Sequence, residues 1–245
     1  MLFKKTLLMP TAAFVSLLVS QSAFAFEEAY LQIRLLGYRT DSLTKKVTTP
    51  AQTFEFKDSK QVFLSGSLSS FTLSAIFNNL AIRLEPGEAF DQGTISLGYN
   101  GGPFEAGLKL ASYSLGLDKK SKIRTPGDTL SNATLEVGPY GIFHVPVGPS
   151  KLEIKADARY VASGIQYLHD AQNNETEDGR KYSTAGYLAG LGVDVLTNIS
   201  PKIGLVNGVG LLYLNYDTKT ADGAEKTKAS SFSILVNIVG LRLRF

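Results

Sequence analysis

The chain has 245 residues, with 25 Lys and Arg against 22 Asp and Glu, two histidines and no cysteine. Without cysteine there is no disulfide framework, thiol catalysis or cysteine metal site, and two histidines argue against a histidine-rich metal centre, so no metal and no cofactor is expected. A mean hydropathy of +0.02 is too low for a helical membrane protein, and basic residues spread along the chain without a continuous stripe argue against a nucleic-acid partner.

Lys4 and Lys5 precede an apolar stretch from Leu7 to Val19, and Ala23-Phe24-Ala25 offers a small-x-small cleavage site. This reads as a removable secretory signal peptide over residues 1–25, leaving residues 26–245 as one domain. The apolar stretch is too short to span a bilayer, and no later segment approaches the roughly 18 to 20 apolar residues that a membrane helix needs. Without the leader, the formal charge falls to +1, so the basic pI is mostly a property of the precursor.

From Ala29 onward, repeated stretches of alternating apolar and polar residues are separated by turn residues, and no segment longer than a turn or two carries helical spacing. Tyr30 to Tyr38 alternates, and a long polar stretch, Asp41 to Lys60, follows. Phe71, Leu73, Ala75 and Phe77 lead into Asn78-Asn79, where two residues that tolerate positive φ make a hairpin turn, and Leu80, Ile82 and Leu84 resume the pattern. Further strands are predicted near 91–100, 104–117, 133–145, 151–164, 182–196, 202–216 and 230–245. Their connections alternate strictly: the turns at 100–103, 147–150 and 197–201 are short, whereas 118–132, 165–181 and 217–229 are long, polar and charged. A soluble sandwich has no reason to gather every long loop at one end, while a barrel through the outer membrane does. The expected fold is an all-β, transmembrane, antiparallel up-and-down barrel of about ten strands with both termini in the periplasm; eight strands remain if residues 26–66 add none.

The last strand ends the chain on Phe245, with Leu243, Leu241 and Val239 on its face and Arg244 and Arg242 on the other. An alternating strand that closes on a terminal phenylalanine resembles the final strand of small Gram-negative outer-membrane barrels, a porin-like and OmpW-like class. The resemblance implies a location in the bacterial outer membrane. It also implies that Phe245 is an assembly signal, read by the barrel-assembly machinery after delivery by periplasmic chaperones. The implied surroundings are outer-membrane lipid and lipopolysaccharide.

Two sets of residues are candidates for function. Glu153, Lys155, Asp157 and Arg159 form a charge ladder about 7 Å apart, and Arg242, Arg244, Asp194 and Lys109 share its facing. In a barrel this narrow they are expected to fill the lumen rather than to line a wide pore. The second set depends on parity. Counting back from Phe245 without interruption turns Phe232, Ile234, Val236 and Ile238 into the outer lumen, where Leu212, Leu214, Tyr216, Leu36 and Tyr38 would join them as an apolar pocket for a small hydrophobic solute. A bulge near Val239-Gly240 would reverse that facing and bring Ser231, Ser233 and Asn237 inward, an arrangement favoured by the cost of placing Asn237 in lipid.

Other features take plainer readings. Lys119, Lys120, Lys122 and Arg124 cluster in a loop where lipopolysaccharide phosphates would meet them, although a solvated loop accounts for them too. His169-Asp170 resembles the acid–histidine pair of outer-membrane proteases, but His144 lies toward the periplasmic rim and no second acid pair can be placed, so no enzyme is expected. The reading is a non-enzymatic barrel with a surface, envelope or small-solute transport role; the alternatives are a hydrophobic-ligand channel, an adhesin or a surface hydrolase.

Overall fold

The computed structural model of the chain describes residues 28–65, 71–86, 93–117, 129–169, 182–220 and 226–245. The expected signal peptide, the Lys119 to Arg124 cluster and Asp170 lie outside these residues. Eleven strands follow one another: β1 (Glu28–Thr48), β2 (Thr53–Ser65), β3 (Phe71–Phe77), β4 (Leu80–Pro86), β5 (Gly93–Asn100), β6 (Phe104–Leu117), β7 (Thr129–Val147), β8 (Ser150–His169), β9 (Tyr182–Asn198), β10 (Ile203–Thr220) and β11 (Lys226–Arg244).

All pair antiparallel with their chain neighbours from β3 onward, and β11 returns to β1, so the sheet closes. β2 and β3 share one place in the wall. β3 pairs with β1 over Glu28–Ile33, and β2 pairs with it over Leu36–Thr48. The barrel therefore has ten strand positions. The pairing of β11 with β1 removes the open edge there, the condition for surrounding a backbone with lipid, while β2 pairs on one side only, with β1, among the described residues.

The turns at one end are tight for identifiable reasons. Asn78 and Asn79 take φ of 46° and 66°, the pair of positive values that a two-residue hairpin of matching twist requires. Gly102, at φ 85°, donates its N–H to Asn100 Oδ1 over 2.7 Å. At the other end the strands run farther than the alternation indicates. β10 reaches Thr220, β11 starts at Lys226, and Asp41 to Lys60, expected as a polar connection, is mostly a hairpin of β1 and β2 turning at residues 49–52. There Ser42, Thr44, Lys46 and Thr48 share one face of β1, and Asp41 and Lys45 interrupt Leu43 and Val47 on the other, so no unbroken apolar period marks the strand.

The wall is inside-out relative to a soluble protein. Outward-facing Leu97, Leu108, Phe143, Tyr160 and Leu191 are more than half exposed, whereas Glu105, Glu136, Glu153 and Arg242 are buried within. Tyr99, Phe104, Phe143 and Phe245 mark the tight-turn end of the apolar belt, and Tyr160, Tyr187, Tyr213 and Phe232 mark the other. Two aromatic girdles around an apolar band of about 25 Å are the outer surface of a transmembrane barrel.

One irregularity decides the facing of the closing seam. Against β10, Val206 pairs with Gly240 and Gly208 with Asn237, so Asn207 alone opposes Ile238 and Val239. Against β1, Leu35 and Ile238 are both passed over between the pairs Arg34–Gly240, Leu36–Val239 and Gly37–Asn237. Both seam strands are thus shifted by one residue at the same level. Below the shift Gly240 and Arg242 face inward; above it Asn237 and Ser233 do, each nearly buried.

The uninterrupted count is therefore corrected at six positions. Leu36, Tyr38, Phe232, Ile234, Val236 and Ile238 lie on the outward face, four of them among the exposed large apolar side chains. Leu212 and Leu214 do face inward, where Leu214 packs with Val161, Leu188 and Tyr216. The displaced backbone is not left unpaired: Asn207 Nδ2 donates to the Ile238 carbonyl, and Asn237 Nδ2 donates to the Val206 carbonyl over 3.2 Å. Asn207→Ala should strand that carbonyl in the apolar belt and cost about 1–3 kcal/mol, read as a lower urea midpoint for the heat-modifiable band.

Candidate functional site

The ladder on β8 faces the lumen along its whole length and meets partners from across the barrel. In the layer nearest the tight turns, Arg242 forms a two-pronged pair with Glu153, both distances being 2.8 Å, and donates from Nε and Nη2 to Gln32 Oε1 at 3.0 and 2.7 Å. Its guanidinium lies 4.2 Å from the centre of the Tyr30 ring. Arg83 makes a second forked pair with Glu105 at 2.7 and 2.6 Å and also donates to Tyr30 Oη, while Tyr140 donates to the same carboxylate over 2.8 Å. Tyr30 thus stands between two arginines, each held by its own carboxylate. A planar guanidinium is suited to this because it offers two parallel donors to the acid and its flat face to the ring.

Higher in the lumen the contacts continue. Lys155 reaches Asp194 at 2.6 Å, and Lys109 lies 3.0 Å from Glu85 and 3.9 Å from Asp157. Arg159 joins Asp157 at 2.8 Å and Glu136 at 3.1 Å, and Glu136 accepts from Tyr216 and from Thr134. Small residues make room for the acids: a Cβ at Gly190 would sit 2.6 Å from Asp157 Oδ1. Gly190 and Gly192 of β9 are thus part of the lumen packing. Arg244 sits at the rim, 3.7 Å from Glu28, and donates to Asn198 over 2.9 Å.

All six ladder residues named from the sequence, Glu153, Lys155, Asp157, Arg159, Arg242 and Arg244, lie on the inward face, joined by Asp194 and Lys109. Their partners Arg83, Glu105, Glu136, Tyr30 and Gln32 were not anticipated. A parity count within their own strands puts them inward, and that signal was present: Arg83 alternates with Ile82 and Leu84, and Glu105 with Phe104 and Ala106. His144 is buried beside Glu153, with Nδ1 3.7 Å from its carboxylate, next to the tight turns. His169 ends β8 at the opposite end, paired through its backbone with Thr129. The two histidines occupy opposite ends of the barrel, and no cluster of three His, Cys, Asp or Glu suited to a metal ion occurs among the described residues. Phe245 is exposed in the inner girdle, and its N–H donates to the Ala29 carbonyl over 3.0 Å, tying the last residue to the start of β1.

No family model and no curated protein matches the chain. Among solved structures it is similar to the outer membrane protease OmpT from Escherichia coli, at 9% identity and a TM-score of 0.43, covering 92% of this chain and 100% of that one. It is also similar to the Neisserial surface protein A, at 12% identity and a TM-score of 0.32, covering 83% and 97% of the two chains. A third similar structure is Ail, the attachment invasion locus protein of Yersinia pestis, at 13% identity and a TM-score of 0.28, covering 89% and 99%. Strand order, closure and the outward apolar belt give this chain the architecture of an outer-membrane β-barrel, of ten strand positions and with an ion-paired interior.

Proposed function

We propose that the protein resides in the bacterial outer membrane, reached with a cleaved leader, and acts there as a non-enzymatic surface or envelope protein rather than as an open channel. The observation that carries this reading is the forked Arg242–Glu153 and Arg83–Glu105 pairs, which fasten β11 to β8 and β4 to β6 through the lumen. An ion passing that layer would have to separate charges that satisfy one another in a confined, poorly hydrated space. The strands that run beyond the outer girdle support a role at the surface, since they present hydrogen-bonded sheet outside the bilayer. The hydrophobic-solute alternative loses two of its three walls, because Leu36 and Tyr38 of β1 and Phe232, Ile234, Val236 and Ile238 of β11 face outward.

Planar-bilayer recording tests the reading. The reconstituted protein should give a quiet baseline without unitary steps at moderate voltage, and reproducible steps would overturn the plugged lumen in favour of a solute channel.

A further inference from the structure

Resting on the reading that the apolar belt lies in a bilayer, we infer that Lys46, Lys219, Lys226 and Lys228 form a binding face for the phosphates of anionic lipid in the outer leaflet. The four come from β1, β10 and β11, and the register brings them together. Lys46 stands directly opposite Lys228, and Lys219 directly opposite Lys226. Residues of one strand two apart lie about 7 Å from one another and facing residues about 5 Å, so the four Cα atoms fit within one phosphate-bearing headgroup's reach.

Their facing is set by the seam shift. Above Ile238 the even-numbered residues of β1 and β11 point outward, as do the odd-numbered residues of β10, so all four lysines share the outward face of Tyr213 and Phe232. All four are exposed. Like charges directly across a ladder are destabilising, and two such pairs adjoin here. Two acids share this face among the described residues and offset only part of the charge: Glu55, opposite Lys46, is engaged by Lys57 at 3.1 Å, and Asp217 stands opposite Lys228. None of the four lysines forms an ion pair among the described residues.

Height selects the partner. Lys228 is four residues beyond Phe232 of the outer girdle, a rise of about 10 Å along a tilted strand. The polar layer of a bilayer leaflet extends some 5–8 Å beyond its hydrocarbon, and a lysine stem bends back toward it. The ammonium groups therefore meet headgroup phosphates from the side, while the aromatic rings below hold the depth constant.

Native mass spectrometry of the folded barrel released from detergent, with phosphatidylglycerol and phosphatidylcholine present in equal amounts, tests the assignment. The wild type should retain phosphatidylglycerol preferentially. The variant K46Q/K219Q/K226Q/K228Q should lose that preference by about tenfold or more, and the corresponding four-arginine variant should keep it. K202Q, which alters an exposed lysine at the tight-turn end, should behave as wild type. Equal retention by the glutamine variant overturns the assignment, as does binding of a heparin oligosaccharide in zwitterionic detergent without lipid preference, which would mark the face as a site for soluble polyanions. Heat-modifiable migration confirms that each variant is folded. A wild type that fails to insert into vesicles refutes the membrane reading itself, whereas insertion without lipid preference refutes only this face.

Discussion

Replacing Arg242 with methionine should destabilise the barrel by about 3–5 kcal/mol, read as a fall in the urea midpoint of its heat-modifiable band, and Glu153→Gln should cost a similar amount. Each single change leaves a formal charge or a set of donors buried without the partner that compensated it. The double variant R242M/E153Q should recover much of the loss, because the cost of a broken buried pair lies mainly in the orphaned group rather than in the pair's net worth. The expected signature is thus strong coupling in the double-mutant cycle. Additive losses would mean that Gln32, Lys151 and Lys155 already hold each group independently and that the pair is incidental.

At the seam, the facing of β11 should survive the loss of its bulge. Deleting Ile238 removes the extra residue of β11, and Gly240, Val239 and Asn237 then alternate in step with Val206, Asn207 and Gly208, so the segment before the deletion should keep its facing. Asn237 and Ser233 stay in the lumen, and Phe232 and Val236 stay on the lipid side. Single cysteines should report this: in the intact barrel those at Ile234 and Val236 should react with a lipid-phase label and one at Leu235 with a water-soluble label, and the deletion should leave these reactivities unchanged. Exchanged reactivities would show that alternation from Gly240 does not set the facing of the segment. Deleting Leu35 as well removes the matching residue of β1, so that Arg34, Leu36 and Gly37 pair with Gly240, Val239 and Asn237 without interruption, and the double deletion should also assemble.

The same seam shows where reading from residues succeeds and where it stops. Alternation located all ten wall positions, and Asn78-Asn79 was legible as a turn because so few residue types accept positive φ. It also put the β8 ladder on one face, since Glu153 to Arg159 leaves no doubt about which side is polar. The outer halves of β1 and β2 escaped it. Beyond Thr40 one face of β1 carries Ser42, Thr44, Lys46 and Thr48, and on the other Asp41 and Lys45 break the run of Leu43 and Val47, so the period is too weak to detect. The bulge was visible only as a conflict between Asn237 and its parity, and resolving that conflict takes the pairing with Asn207. The partners within the lumen are a matter of which strands face one another: Arg242 and Glu153 are 89 residues apart, and only closure of the sheet makes them neighbours.

The projecting hairpin has a mechanical consequence. β1 and β11 pair from Tyr30–Arg244 to Thr48–Lys226, interrupted only at Leu35 and Ile238, so the sheet that stands outside the bilayer continues into the strands that close the barrel. A pull on the tip, directed along those strands, loads the hydrogen bonds of the seam side by side instead of one after another, because they run perpendicular to the force. Such a geometry resists drag by sharing it, and the load ends at Gln32 and Arg242, where the seam is fastened to the opposite wall through Glu153. The barrel wall and the projecting hairpin are thereby one sheet, and a load on the tip is spread along the seam before it can open.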